Sequence, residues 1–139
     1  MNDSTKIRTG RHVVYNMHVH LVFVTKYRNI VFTKPMLEYL KSVFSSICND
    51  FEVTLTEFDG ENDHVHLLIH YPPKIQLSKL VNSLKGVSSR MLRIEFEKQI
   101  SKLYWKGVLW SPSYFAASCG GAPIETVKKY IQKQKSPTQ

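Results

Sequence analysis

From Val13 to Thr25 the chain is rich in β-branched and aromatic residues, a pattern that predicts a strand. Along it His18, His20, Val22 and Val24 share one face, while Val19, Leu21 and Phe23 share the other. Lys26-Tyr27-Arg28-Asn29 breaks the pattern. Pro35 then opens a helix whose apolar positions, Met36, Leu37, Leu40, Val43, Phe44 and Ile47, follow helical spacing. A second strand is predicted from Phe51 to Phe58, with Asp59-Gly60-Glu61-Asn62 turning into a third that runs from about Asp63 to Tyr71 and stops at Pro72-Pro73. A long helix follows, with Leu77, Leu80, Val81, Leu84, Val87 and Met91 on its buried stripe. Lys85, Ser89 and Arg93 form another stripe, spaced by four. Val108 to Ser118 predicts a further strand, Gly120-Gly121 a flexible break, and Pro123 the start of a last helix reaching roughly Gln134.

The order β-α-β-β-α-β-α predicts an α+β fold: a ferredoxin-like, RRM-like antiparallel sheet, helices on one face, and an additional C-terminal helix. The 139 residues read as one domain, with 1–12 a polar lead and 122–135 the last helix. This fold hosts many functions and decides none.

Charge narrows the partners. Nineteen Lys and Arg against eleven Asp and Glu leave +8, which favours nucleic acid over membrane. Nothing approaches the ~20 apolar residues of a membrane span, the N-terminus has no signal-peptide stretch, and a cytoplasmic protein is expected. Cys48 and Cys119 form no C-x-x-C pair, so neither a disulfide framework nor a cysteine zinc site is indicated.

Two half-sites carry candidate chemistry. His64-Val65-His66 puts two imidazoles on one face of a strand, where they can converge on a divalent ion if each offers a neutral nitrogen. Asp63 could hold one ring, although strand alternation should turn its side chain away. His18-Val19-His20 has the same spacing, and His70 continues the face of His64 and His66, so spacing alone leaves the pair open. On the last helix Ile124, Val127 and Ile131 form an apolar stripe, with Tyr130 and Gln134 along its flank. Tyr130 reads either as a ring closing the core edge or as a nucleophile, with Gln134 adding an amide oxygen to the metal and Lys128, Lys129 and Lys133 attracting phosphate. A phenol of pKa ~10 needs a polarised electrophile, which a bound cation supplies. The absence of a carboxylate cluster argues against a two-metal nuclease. Lys26-Tyr27-Arg28 mixes cations with an aromatic ring as single-strand grooves do, and Lys85, Ser88, Ser89 and Arg90 are further candidate DNA contacts.

These residues sit within a longer pattern. Tyr15 through Arg28, Asp63-His64-Val65-His66-Leu67-Leu68, Lys85 through Arg90, Trp110 with Ser113-Tyr114-Phe115, Gly120-Gly121-Ala122-Pro123 and Val127 through Gln134 occur in that order. Together they resemble the single-tyrosine HUH transposases (TnpA) of small insertion sequences. The resemblance implies His64 and His66 as metal ligands with Gln134 as the third, Mg²⁺ or Mn²⁺ as cofactor, and Tyr130 as the nucleophile forming a 5′-phosphotyrosine link. His20 matches a family position without being a ligand. The resemblance also implies a homodimer acting on single-stranded DNA with imperfect hairpins at the element ends. Tyr130 then works beside the other subunit's histidines, and Gly120-Gly121 serves as the hinge. A non-catalytic nucleic-acid-binding module on the same sheet and a transposase that binds without cutting are the alternatives. A replication-initiator or relaxase relative is disfavoured by length and motif order.

Overall fold

The computed structural model describes residues 7–10, 12–105, 107–118 and 124–134, with 124–128 described by backbone alone. The segment read as one strand from Val13 to Thr25 is divided. β2 (Val14–Tyr15) pairs back on β1 (Arg8–Thr9), within the stretch expected to be a polar lead, and β3 (His18–Val24) enters the main sheet. There β3 is joined by β4 (Thr54–Gly60), β5 (His64–His70) and β6 (Phe115–Ser118), in the antiparallel order β4-β5-β3-β6. α1 (Lys34–Asp50) crosses from β3 to β4, and α2 (Leu77–Glu95) leads from β5 towards β6. A short α3 (Glu97–Ser101) follows α2, and α4 (Ile124–Lys133) comes last. This is the ferredoxin-like arrangement that the element order predicts.

Local chemistry explains the elements. Thr33 caps α1 by accepting the Met36 amide, and Pro35 occupies a first-turn position where its missing N–H costs nothing. β4 runs two residues past its predicted end, to Gly60. A Cβ there would lie 2.7 Å from Leu37 Cδ2 and 3.1 Å from Val65 Cγ1, so a larger residue would have to displace these side chains where the strand end meets α1. On α2 the buried stripe is Leu80, Val81, Leu84, Ser88 and Leu92, whereas Met91 is exposed. The i+4 row passes through a serine, which is tolerated because the Trp110 indole N–H donates to its hydroxyl at 3.0 Å.

The predicted strand from Val108 to Ser118 forms only at its end. Trp110 makes an isolated bridge to Thr25, and the carbonyls of Ser111, Pro112 and Ser113 turn instead to the Lys85 ammonium at 2.7, 3.2 and 3.1 Å. Proline has no N–H for a ladder, and those carbonyls are already taken.

The sheet has two covered faces. Val19, Leu21, Phe23, Val65, Leu67 and Ile69 meet Met36, Leu40 and Phe44 of α1 and Leu80 and Leu84 of α2 in the principal core. On the other face Val22 and Val24 are fully buried, beneath Ile131 and Tyr130 of α4 and beside Phe115. That second face carries the histidines.

The turn leaving β3 is unusual. Tyr27 and Arg28 both adopt left-handed backbone angles, φ 62° and 57°, a conformation costly for residues with a Cβ. It is held by Thr25 Oγ1 donating to Asn29 O at 2.8 Å, Lys26 N donating to Leu109 O at 2.8 Å and Tyr104 Oη donating to Lys26 O at 2.7 Å.

Burial pushes the Tyr104 phenol up to about 12, from an ordinary value of 10.0. A raised folded-state value means that the stabilisation is complete below pH 10 and is lost as pH rises through 12. Thermal unfolding of the wild type should therefore weaken more steeply over that window than that of Tyr104→Phe. At neutral pH the variant should be less stable by about 0.5–1.5 kcal/mol for the lost hydrogen bond. Parallel pH slopes for the two proteins would refute this.

Candidate active site

β5 begins with the histidine pair. His64 and His66 are two apart, so both rings leave the α4 face, with centroids 4.9 Å apart and planes at 80°. Each ring is held at Nδ1 by a different group. His64 Nδ1 donates to Asp63 Oδ1 at 2.7 Å. A carboxylate only accepts, so Nδ1 carries a proton and Nε2 is the ring nitrogen left for another partner. Asp63 does not alternate away as expected. It lies in the loop ahead of β5, where strand geometry does not govern it, and its other oxygen accepts Arg28 Nε at 2.8 Å. The strained turn thus delivers Arg28 to Asp63, and Asp63 to His64.

His66 Nδ1 contacts His20 Nε2 at 3.2 Å, with the two rings stacked at 20°. His20 faces Leu68 in register, so it reaches His66 diagonally from the neighbouring strand. Burial, then the neighbouring rings of His64 and His20, push His66 down to about 4, so at neutral pH it is an uncharged imidazole. Burial also lowers His20. His18 does not join this group: it pairs with His70, ring centroids 4.1 Å apart, at the far end of β3. The two H-x-H motifs therefore have different surroundings, and in only one of them is each ring oriented through Nδ1 by a side chain.

α4 crosses the same face beside this pair. Ile131 packs on Val22 and Val24, which lie in register with His66 and His64 on the adjacent strand. Tyr130 Oη lies 2.9 Å from Ser113 Oγ, and its ring sits 5.7 Å from that of Phe115. Burial raises the phenol's pKa, and the Ser113 hydrogen bond offsets part of that. Gln134 falls just beyond the last turn of α4. Its Oε1 accepts from Ser111 Oγ and, at 3.4 Å, from Ser113 Oγ, while its Nε2 donates to Tyr130 O at 3.3 Å. Ser111-Pro112-Ser113 is therefore the dock for the tyrosine helix. Neither serine was given a chemical role from sequence, although Ser113 stands in the Ser113-Tyr114-Phe115 motif and the two flank Pro112.

The donor set fits a divalent metal. Nδ1 of each ring is occupied by a neighbour, so Nε2 is the nitrogen each would offer an ion, that of His66 in the tautomer with its proton on Nδ1. The neutral Gln134 amide oxygen is held by Ser111 and Ser113. Among the described residues no group of three or more His, Cys, Asp or Glu could hold a metal, so an ion on this pair would need a further ligand of another kind.

Comparison with known proteins decides the family. The model of a family described as "Transposase IS200 like" matches residues 13–134. The chain belongs to that family.

The transposase is 30% identical over 129 residues to the ISDra2 transposase TnpA of Deinococcus radiodurans, covering 93% of this chain and 91% of that one. It is also 30% identical over 123 residues to the transposase for insertion sequence element IS200 of Salmonella typhimurium, covering 88% and 80%. A crystal structure from Deinococcus radiodurans R1 matches with a TM-score of 0.84 at 29% identity, over 93% of this chain and 98% of that chain. At 9% identity, a REP-associated tyrosine transposase solved with a REP hairpin shares the fold, with a TM-score of 0.55 over 89% of this chain and 67% of that one.

The expected DNA contacts of the transposase divide on inspection. Ser88 is fully buried, with its hydroxyl bonded to Trp110 and to Lys85 O, which takes it out of any surface that DNA touches. Lys85 spends its ammonium on the dock carbonyls, so it organises Ser111–Ser113 rather than standing free for phosphate. Burial pushes it down to about 8. Arg28 is committed through Nε to Asp63. Tyr27, Arg90 and Lys129 are exposed, Ser89 is half-buried, and Lys26 Nζ lies 5.5 Å from the Tyr27 ring centroid. The expected hinge, Gly120-Gly121, lies outside the described residues, as do the side chains of Val127 and Lys128. Among the described residues no helix is long and apolar enough to cross a membrane.

Proposed function

We propose that this transposase cuts and rejoins single-stranded DNA at the ends of an insertion sequence through a covalent link to Tyr130. The observation that carries the reading is the orientation of both rings of the β5 pair through Nδ1 on the sheet face that α4, with Tyr130, covers beside them. His64, His66 and Gln134 would hold Mg²⁺ or Mn²⁺. When bound, that ion supplies polarisation of the scissile phosphate's non-bridging oxygens.

The chain's own groups do the rest. Tyr130 Oη attacks phosphorus, forming the Oη–P bond as the P–O3′ bond breaks. The phenolic proton leaves to water, and the departing 3′ oxygen takes one up. The product is a 5′-phosphotyrosine and a free 3′-hydroxyl, and reversal by another 3′-hydroxyl rejoins DNA without an added energy source. Ser113 holds the phenol at its oxygen until the substrate arrives. Gln134 Oε1, which now accepts from Ser111 and Ser113, would be free for the ion on giving up one of these two donors.

Hairpin-bearing element ends are the partner we assign, in keeping with the +8 charge and with the hairpin held by the REP-associated fold neighbour. A sheet that binds nucleic acid by stacking would need its second face open, whereas α4 covers Val22, Val24 and part of Phe115 there.

The test incubates the protein with Mn²⁺ or Mg²⁺ and a labelled single-stranded element end, then looks for a covalent adduct on a denaturing gel. No adduct with authentic ends would refute the reading. The packing of Ile131 on its own sheet favours a site completed within one chain, whereas the family resemblance implies a homodimer with shared sites. Mixing Tyr130→Phe with His64→Ala subunits separates them: recovered cleavage in heterodimers means sharing, and none means action in cis.

A further inference from the structure

Trp105 is 88% exposed, the opposite of Trp110, which is buried. Its backbone is nonetheless clamped. Arg93 donates from one terminal nitrogen to Trp105 O at 2.7 Å and to Val108 O at 3.0 Å. Val108 N closes the turn on Trp105 O at 3.1 Å, with Gly107 at φ 81° supplying the left-handed position. An indole has only two side-chain torsions to fix, so it loses little freedom when a planar group stacks on it.

Arg93 is also the shared wall of two open hollows. One, of about 390 Å³, lies between Trp105 and Lys102. The other, of about 530 Å³, runs past Arg90 and Gly86 to Ser111 and Pro112. Their linings carry Lys85, Arg90, Arg93 and Lys102 and, among the described residues, no Asp or Glu. The track thus begins at a bare indole and ends at the serine dock of Tyr130.

We propose that a DNA single strand lies along this track, with one base stacked on Trp105 and its phosphates beside Arg90 and Lys102. Lining charge of one sign fits a polyanion, and an indole stacks on any base, so the surface grips without reading sequence. Because its far end is the dock, the strand held here leads to the scissile phosphate. The inference rests on the single-strand reading above, and its test is separable from it.

The experiment titrates oligo-dT, and a DNA hairpin with an oligo-dT extension, into the full chain at fixed salt while following tryptophan emission and affinity. DNA should quench and shift the Trp105 emission. Trp105→Ala should weaken binding about tenfold, with Trp105→Phe restoring most of it. Arg90→Gln should weaken it further and flatten the salt dependence. Circular dichroism checks the fold of each variant, and the wild-type emission change stands even if one of them fails to fold. Unchanged emission on bound DNA, equal affinity for Trp105→Ala, or no binding of either probe would overturn the proposal. So would an emission shift that follows protein concentration without DNA and disappears in Trp105→Ala, since the surface would then be an interface between copies. Adduct formation by the wild type, read in parallel, reports on Tyr130 independently.

Discussion

Tyr130→Phe should leave DNA binding intact and abolish the covalent adduct, a loss of more than about a thousandfold. The substitution removes one oxygen and little else. The ring keeps its place beside Phe115, and Ile131 still anchors α4 on Val22 and Val24. What is lost structurally is the hydrogen bond to Ser113, worth about 0.5–1.5 kcal/mol and at the low end for so exposed a pair. An unchanged melting profile with no adduct would therefore isolate chemistry from folding. Burial raises the phenol's pKa, so at neutral pH Tyr130 carries its proton. The six other tyrosines could not substitute unless they reached the same face, and an undiminished adduct in Tyr130→Phe would mean that one of them does.

Asp63→Asn should weaken Mn²⁺ binding about 10- to 100-fold while leaving the fold in place. The carboxylate accepts from His64 Nδ1 on one oxygen and from Arg28 Nε on the other. An amide of the same shape keeps an acceptor for one of them but loses the charge that makes His64 a better donor to a metal and that anchors Arg28. Asp63 is largely buried, its side chain only 10% exposed, so water does not replace what is removed. Isothermal titration calorimetry with Mn²⁺ measures the effect without DNA and without turnover. Equal affinities for the two proteins would remove Asp63 from any role towards the ion.

Both predictions depend on contacts that a linear reading reaches unevenly. The alternation along β3 and β5, the helical spacing of α1 and the Pro35 start are local features, and they placed most of the sheet and its first helix. The same alternation put His64 and His66 on one face opposite Val65, Leu67 and Ile69, as found. It failed where a tertiary partner took over the backbone. Lys85 draws the carbonyls of residues 111–113 out of the predicted strand, and Trp110 makes Ser88 a core residue on a helix face read as a DNA contact.

Sequence by itself determined the order of the main-sheet strands and of the three longer helices, which strand face carries the histidines, and which helix carries Tyr130 with Gln134 at its end. Those follow from periods of two and of 3.6, which need no knowledge of neighbours. Tertiary structure alone decided that Asp63 turns back to His64, that His20 reaches His66 across strands, and that two serines receive the tyrosine helix. Strand register brings His20 to His66, Arg28 from the strained turn holds Asp63, and Lys85 sets the two serines; none of these is written in the spacing of residues along the chain.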